Sequence, residues 1–157
     1  MVPPYEEIIE LISRAGDCVS FAPYGEGVSD EWVAKAEARL GLNLPPSYTW
    51  WLKNYSGGQI ENEEIYSVYG EEFDQVVGGD IVAVAIRHLR SGIEPAERLY
   101  ICQPGTDEEF YFKPSEADAS GEFPVYCLDQ INSIDDRYAA SFLEFLQKRI
   151  LFRGRKP

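Results

Sequence analysis

The 157-residue chain contains three short runs of acidic residues, and their carboxylates are the side chains best suited to binding or catalysis. Carboxylates so close in sequence could attract a basic protein, pair as acid and base in a glycosidase, or bind a divalent ion. The first two runs, at 61–64 and 71–74, are the preferred binding surface, and the run at 107–109 comes second. The selected residues are Glu61, Glu63, Glu64, Glu71, Glu72, Asp74, Asp107, Glu108 and Glu109, with Phe73, which we expect to be exposed among the acids.

The carboxylate runs do not match known metal or phosphate motifs. They lack the D-x-[DN]-x-[DN]-G and H-E-x-x-H patterns, and the segment from Gly70 to Asp80 lacks G-x-x-x-x-G-K-[ST]. His88 is the only histidine, and its place beside Arg87 in a predicted helix favours a solvated surface side chain over a catalytic base. The sequence predicts no catalytic site, metal or cofactor, although a carboxylate-based hydrolase stays open as a third alternative.

The cysteines and the first residues indicate the compartment. Cys18, Cys102 and Cys127 are odd in number and form no C-x-x-C pair, so neither a disulfide framework nor a zinc site is expected. The segment MVPPYEEIIELI has no basic region before its apolar residues and is interrupted by acids. We therefore expect a cytoplasmic protein with structural thiols, no signal peptide and no membrane span.

The charge of the chain is strongly negative and unevenly distributed. It has 14 basic and 27 acidic residues, for a net charge of −13. Residues 54–86 include seven acids and residues 114–136 include six, and neither stretch contains lysine or arginine. Such a field repels nucleic acid and accelerates association with basic partners, although acidic surfaces also serve solubility alone. The basic tail at Arg153, Arg155 and Lys156 is too short to indicate nucleic-acid binding.

The elements that must position these acids begin with three predicted helices. The first follows Pro3–Pro4 and stops near Gly16. The second is capped by Ser29 and ends at Gly41, and the third starts at Pro45 or Pro46 and is closed by Gly57 and Gly58. Helical spacing predicts that the third helix buries one aromatic stripe, namely Tyr48, Trp51, Leu52 and Tyr55.

The second half of the chain contains most of the predicted strands. A strand is predicted over 64–69 and a polar loop over 70–79. Residues 80–92 combine strand propensity with helical spacing, and Asp80 as a cap with Gly92 as a stop favours a helix there. Strands at 99–102, 109–113 and 125–128, with a turn at Pro104–Gly105, indicate an antiparallel meander. A closing helix over 139–152 buries Phe142 and carries Lys148 and Arg149 near its negative end. The predicted fold is α+β, with a twisted, mainly antiparallel sheet against which the N-terminal and closing helices pack.

A family resemblance extends across most of the chain. The segment VAKAEARLGLNLPPSYTWWLKNYSGG resembles the signature of the SUKH superfamily, the domain shared by the yeast cell-wall regulator Smi/Knr and many bacterial immunity proteins. Its matching features are Glu37, Leu40–Gly41, the corner from Leu44 to Tyr48, Trp51–Leu52 and Tyr55. The segment DASGEFPVYCLD is similar to the family's G-x-x-P-V motif, and residues 140–146 are similar to its S-F-x-x-F/L motif. Ser56 departs from the pattern, which usually has glycine there.

The resemblance implies one SUKH-like domain over residues 1–157, with a core of about 5–152 and a basic tail at 153–157. It also implies an immunity protein that neutralises a cognate polymorphic or contact-delivered toxin, often a nuclease, by stoichiometric occlusion. The acidic field is an independent reason to expect a basic protein partner, with no nucleic acid or membrane involved. The alternative is a regulatory interaction module of the Smi/Knr type.

Overall fold

Seven strands form one antiparallel sheet whose spatial order follows the sequence, from β1 to β7. A computed structural model describes residues 3–103 and 107–154. The strands are β1 (Val19–Phe21), β2 (Gly58–Ile60), β3 (Glu63–Ile65), β4 (Leu99–Cys102), β5 (Glu108–Phe112), β6 (Val125–Asp129) and β7 (Ile134–Ala139). The helices are α1 (Tyr5–Arg14), α2 (Asp30–Leu40), α3 (Pro46–Tyr55), α4 (Ile81–Leu89) and α5 (Phe142–Gly154).

This architecture confirms the predicted α+β class and the meander. Alternate residues of the central strands point to opposite faces of the sheet and pack in two separate hydrophobic clusters. Ile101, Phe110 and Phe112 pack in the main core beneath the helices, whereas Tyr100 and Tyr111 pack on the other face with Val84 of α4. None of the helices in the described ranges is both long and apolar enough to cross a membrane.

The predicted helix caps in the first half are present. The backbone N–H of Trp32 donates to Ser29 Oγ at 3.3 Å, and Gly41 ends α2 in the left-handed conformation with φ of 73°. The aromatic stripe of α3 is buried as predicted, and Tyr48 and Trp51 contact the ring of Phe142 from α5. These contacts join the third and last helices through one aromatic cluster.

Three strands were not predicted, and one predicted strand is shorter than expected. The missed strands are β1, β2 and β7. The strand predicted over 64–69 ends at Ile65, because Ser67 pairs instead with Asp80 and the Asp80 carboxylate accepts a hydrogen bond from the Tyr69 backbone at 2.9 Å. The chain is thereby turned away from the sheet toward α4.

The closing helix starts later than predicted. Ala139 is the last residue of β7, where it pairs with Val125, and α5 begins at Phe142. Two side-chain caps stabilise this start, because Ser141 Oγ accepts the backbone N–H of Glu144 while the Glu144 carboxylate accepts that of Ala140. Helix α5 continues to Gly154. The remainder of the basic tail, 155–157, and the turn predicted at Pro104–Gly105 lie outside the described residues.

The loop from Ala22 to Val28 closes the C-terminal end of α3. Backbone N–H groups of Ala22, Gly25 and Val28 donate to the carbonyls of Tyr55, Asn54 and Leu52 at 3.2, 2.8 and 2.8 Å. The Leu52 carbonyl also accepts the Ser56 N–H at 3.0 Å, whereas the carbonyls of Asn54 and Tyr55 lie in the last turn, where a helix has no donors of its own. The loop supplies donors to all three.

Ser56, the residue that ends α3, has a backbone conformation that favours glycine. Its φ is 66° and its ψ is −37°, and side chains with a Cβ are strained at positive φ. We expect Ser56→Gly to raise the free energy of unfolding by about 1 kcal/mol, because the strain removed outweighs the entropy gained by the unfolded chain. Urea denaturation measures this difference, and a stability equal to or below that of the unaltered protein would contradict the explanation.

Candidate functional site

A groove beside β3 brings together two of the predicted acids. Glu64 and Glu71 line it, with Ser67 and Tyr69 from the segment after β3 and Ser56, Gly57 and Gly58 from the end of α3. Its volume is about 380 Å³. We call this feature the acidic groove. It is assembled from three segments, because β2 begins directly after α3 and pairs with β3 on one side and with β1, which precedes the lining residue Ala22, on the other.

The carboxylate of Glu64 is fixed in place. The Tyr69 hydroxyl donates to Glu64 Oε2 at 2.7 Å, and the Gly79 backbone N–H donates to the Tyr69 oxygen at 2.9 Å. A Cβ on Gly79 would lie only 2.3 Å from Glu64 Oε1, so the carboxylate rests directly against this glycine. Burial, and then the hydrogen bond to Glu64, raises the pKa of Tyr69 to about 12. The phenol is therefore a permanent donor to Glu64 at neutral pH.

Ser67 is a largely buried residue in the lining of the groove. The residue is only 5% exposed, and its backbone N–H donates to the Gly79 carbonyl at 3.0 Å. Its hydroxyl lies against Gly57, where a Cβ would come within 2.6 Å of Ser67 Oγ. No described residue forms a hydrogen bond with this hydroxyl, so it remains available to a molecule in the groove.

Three further acids of the first two runs are exposed without an ion pair to any described residue. Glu71 lies at the groove, Glu72 follows it, and Glu61 occupies the turn between β2 and β3 with φ of 56°. Residues 54–86 contain no lysine or arginine, and the Arg87 guanidinium reaches this stretch through its hydrogen bond to the Gly78 carbonyl at 2.9 Å.

Three other residues of these runs have partners within the chain, and one of them, Phe73, is not exposed as expected. Glu63 pairs with Arg149 of α5 at 2.7 Å, and both side chains are nearly buried, at 11% and 7% exposure. Asp74 forms two hydrogen bonds with Arg39, at 2.6 and 3.1 Å, which lower the pKa of Asp74. Phe73 is 7% exposed and packs edge-on against Trp32, so it is not the exposed anchor that was expected. Arg149, predicted near the negative end of the closing helix, is itself buried in α5.

The acids of the third run lie in or just before β5, separated from β3 by β4. Asp107 is exposed, whereas Glu108 accepts a hydrogen bond from the Cys127 thiol at 3.5 Å. Burial raises the pKa of Glu109.

Burial raises the pKa of Tyr66 to about 12, and Cys102, Glu64 and Glu109 add to this shift.

Histidine and cysteine chemistry is suppressed by burial. His88 is half-buried against the ring of Tyr100 at 4.5 Å rather than solvated as predicted, and burial lowers its pKa. Burial also raises the pKa of Cys102 and Cys127 to about 12, so their thiolates are scarce at neutral pH. Within the described ranges, no group of three or more His, Cys, Asp or Glu side chains could hold a metal ion.

Comparison with known proteins identifies the family. Residues 30–146 match the model of the SUKH family that is described as SMI1-KNR4 cell-wall. The matched segment runs from the start of α2 into α5. The chain belongs to the SUKH superfamily. Domains of this family are in general non-catalytic binding modules. A crystal structure of a protein from Pseudomonas syringae pv. tomato has the same fold, with a TM-score of 0.59 and 18% identity over 90% of this chain and 95% of that one.

The motifs that carry the SUKH resemblance have structural roles here. The Glu37 carboxylate accepts the Leu44 backbone N–H at 2.7 Å and thereby fixes the loop between α2 and α3. The Glu122 carboxylate, buried in the G-x-x-P-V segment, accepts both the hydroxyl and the backbone N–H of Ser47, at 2.7 and 3.0 Å. Two motifs that are far apart in sequence are thus joined at the start of α3.

Sequence reasoning missed Ser67 and Tyr69 as groove residues of this SUKH domain. Tyr69 was assigned to a β-rich segment, and Ser67 was read only as one face of a strand. A usable signal was the glycine pairs at 57–58 and 78–79, because paired glycines permit close approach of backbone to neighbouring groups. Both pairs border the segment that contains Ser67 and Tyr69.

Proposed function

We propose that this SUKH domain is an immunity protein that binds a cognate basic toxin, for example a nuclease, and blocks it stoichiometrically. The observation that carries the proposal is the set of exposed carboxylates around the acidic groove, in a stretch of chain without lysine or arginine. Family membership supports a binding role, and the charge supports a basic partner.

The mechanism follows from electrostatics and shape. Glu61, Glu71 and Glu72 attract the lysine and arginine side chains with which a nuclease holds phosphate, so the complex forms rapidly at low salt. Once the partner is seated, the groove and its rim exclude nucleic acid from the same basic residues. The proposal therefore requires no catalytic step from the SUKH domain.

The experiment is co-expression with the toxin-like open reading frame beside this gene, followed by pull-down and affinity measurement at several salt concentrations. We expect Glu61→Gln, Glu71→Gln and Glu72→Gln together to weaken binding by about tenfold at low salt and to flatten its salt dependence. The matched control removes three exposed charges outside the groove, with Glu6→Gln, Glu94→Gln and Asp136→Asn. The absence of a toxin that binds would refute the function, whereas equal effects of the two triple variants would refute the contact surface.

A second candidate is a regulatory module that binds a cellular signalling or cell-wall protein. The description of the matched family as SMI1-KNR4 cell-wall favours it. Capture of a cell-wall or signalling protein by the unaltered domain, in cells that lack the neighbouring toxin gene, would favour this candidate over the first.

A further inference from the structure

We infer that the acidic groove receives the guanidinium group of one arginine, with the Glu64 carboxylate and the Ser67 hydroxyl as its direct ligands. The inference rests on the proposed function in one respect, because the arginine would belong to the basic partner. The chemistry of the groove can be tested without the partner.

Glu64 offers a preorganised acceptor. Tyr69 and Gly79 hold its carboxylate, and Tyr69 donates only to Oε2. Glu64 Oε1 accepts no hydrogen bond from any described residue, and Glu64 has no ion pair among them. A charge-assisted hydrogen bond from a guanidinium N–H would use this oxygen without displacing an internal partner.

Ser67 is the independent observation that points to a ligand. The residue is more than nine-tenths buried, at 5% exposure, and its hydroxyl forms no hydrogen bond with any described residue. Its oxygen lies in the lining of the groove, next to Gly57. A donor that enters the groove would complete the hydrogen bonding of this side chain.

The arrangement favours arginine over lysine. The guanidinium is a planar fork of five N–H donors, so it can reach two separate acceptors at once, whereas an ammonium is a compact point charge. The ring of Tyr69, 40% exposed, is an aromatic surface against which a flat cation can stack. Glu71 at the groove adds a second negative charge.

The test uses three short peptides, Ac-Gly-Arg-Gly-NH2, Ac-Gly-Lys-Gly-NH2 and the citrulline analogue, titrated into the full chain and followed by backbone amide chemical shifts. We expect saturable shifts centred on Gly57, Gly58, Ser67 and Tyr69 with the arginine peptide, weaker shifts with lysine, and none with citrulline. Glu64→Gln is expected to weaken binding about tenfold and Ser67→Ala about threefold.

Two further variants separate positioning from net charge. Gly79→Ala keeps the charge but introduces a methyl group where the Glu64 carboxylate now rests, so it should also weaken arginine binding. Asp136→Asn, on β7 at the other end of the sheet, removes one charge and should have little effect. Thermal melting verifies that each variant is folded.

The outcomes distinguish this inference from the proposed function. Shifts spread over the whole acidic surface, equal binding of arginine and lysine, or unchanged affinity in Glu64→Gln and Ser67→Ala would overturn the groove assignment even if a toxin binds. Specific arginine binding without any toxin partner would uphold the groove and refute the proposed function.

Discussion

Replacement of Arg149 by methionine is expected to lower the free energy of unfolding by about 3–5 kcal/mol, because it leaves the nearly buried Glu63 carboxylate without its cation. The guanidinium donates to Glu63 Oε2 at 2.7 Å and lies over the ring of Phe110, 4.8 Å from its centroid. Methionine retains much of the packing but none of the charge, so the variant isolates the electrostatic loss. Urea denaturation followed by tryptophan fluorescence measures the effect.

The control for Arg149→Met is the same change at Arg14, whose ion pair with Glu10 is largely exposed on α1. Exposed pairs contribute about 0–1 kcal/mol, so Arg14→Met should be nearly neutral. The double variant Glu63→Leu with Arg149→Met removes both charges and should recover a large part of the lost stability. If Arg149→Met loses no more free energy of unfolding than Arg14→Met, the buried ion pair does not stabilise the fold more than an exposed one.

The second large effect is expected at Gly27, where substitution by alanine should destabilise the fold by about 3 kcal/mol. A Cβ at this position would lie 1.9 Å from the Lys53 carbonyl oxygen and 2.0 Å from its carbon. Neither atom belongs to a flexible side chain, so the loop must move away from the end of α3. That movement would weaken the hydrogen bonds from Gly25 and Val28 to the last carbonyls of the helix.

Gly16→Ala is the matched control for Gly27→Ala. Gly16 has φ of 60° and no atom within 4 Å of the added Cβ, so alanine there should cost only the backbone strain, about 1 kcal/mol. Thermal melting compares the two variants. Hydrogen exchange at the Gly25 and Val28 amides should accelerate only in the Gly27 variant, and unchanged exchange would argue against the steric explanation.

The parts of the fold that could be predicted are those with local signals. An N-cap such as Ser29 or Asp80 is recognised from the few residues around it, and both predicted caps are confirmed. Strands β1 and β2 are three residues long and β2 begins with glycine, so neither shows a period-two pattern. Strand β7 has exposed residues at four of its six positions, including Asp135, Asp136 and Arg137, because it lies at the edge of the sheet.

The candidate site could be predicted only in part, since the partners of acids are distant in sequence. Glu63 is neutralised by an arginine 86 residues away, and Asp74 by one 35 residues away. Nothing near either acid distinguishes it from Glu64 or Glu71. Only the tertiary structure shows which carboxylates have a cation beside them among the described residues and which do not.

The sequential order of the sheet has a kinetic consequence. Short connections join β4 to β5 and β6 to β7, and residues 113–124 join β5 to β6, so these neighbouring strands can pair early with little loss of chain entropy. The β1–β2 pair instead joins residues on either side of α2 and α3, and its formation must wait for a much longer loop to close. We therefore expect the meander to fold first and the acidic groove, which depends on the β2–β3 end of the sheet, to be completed late.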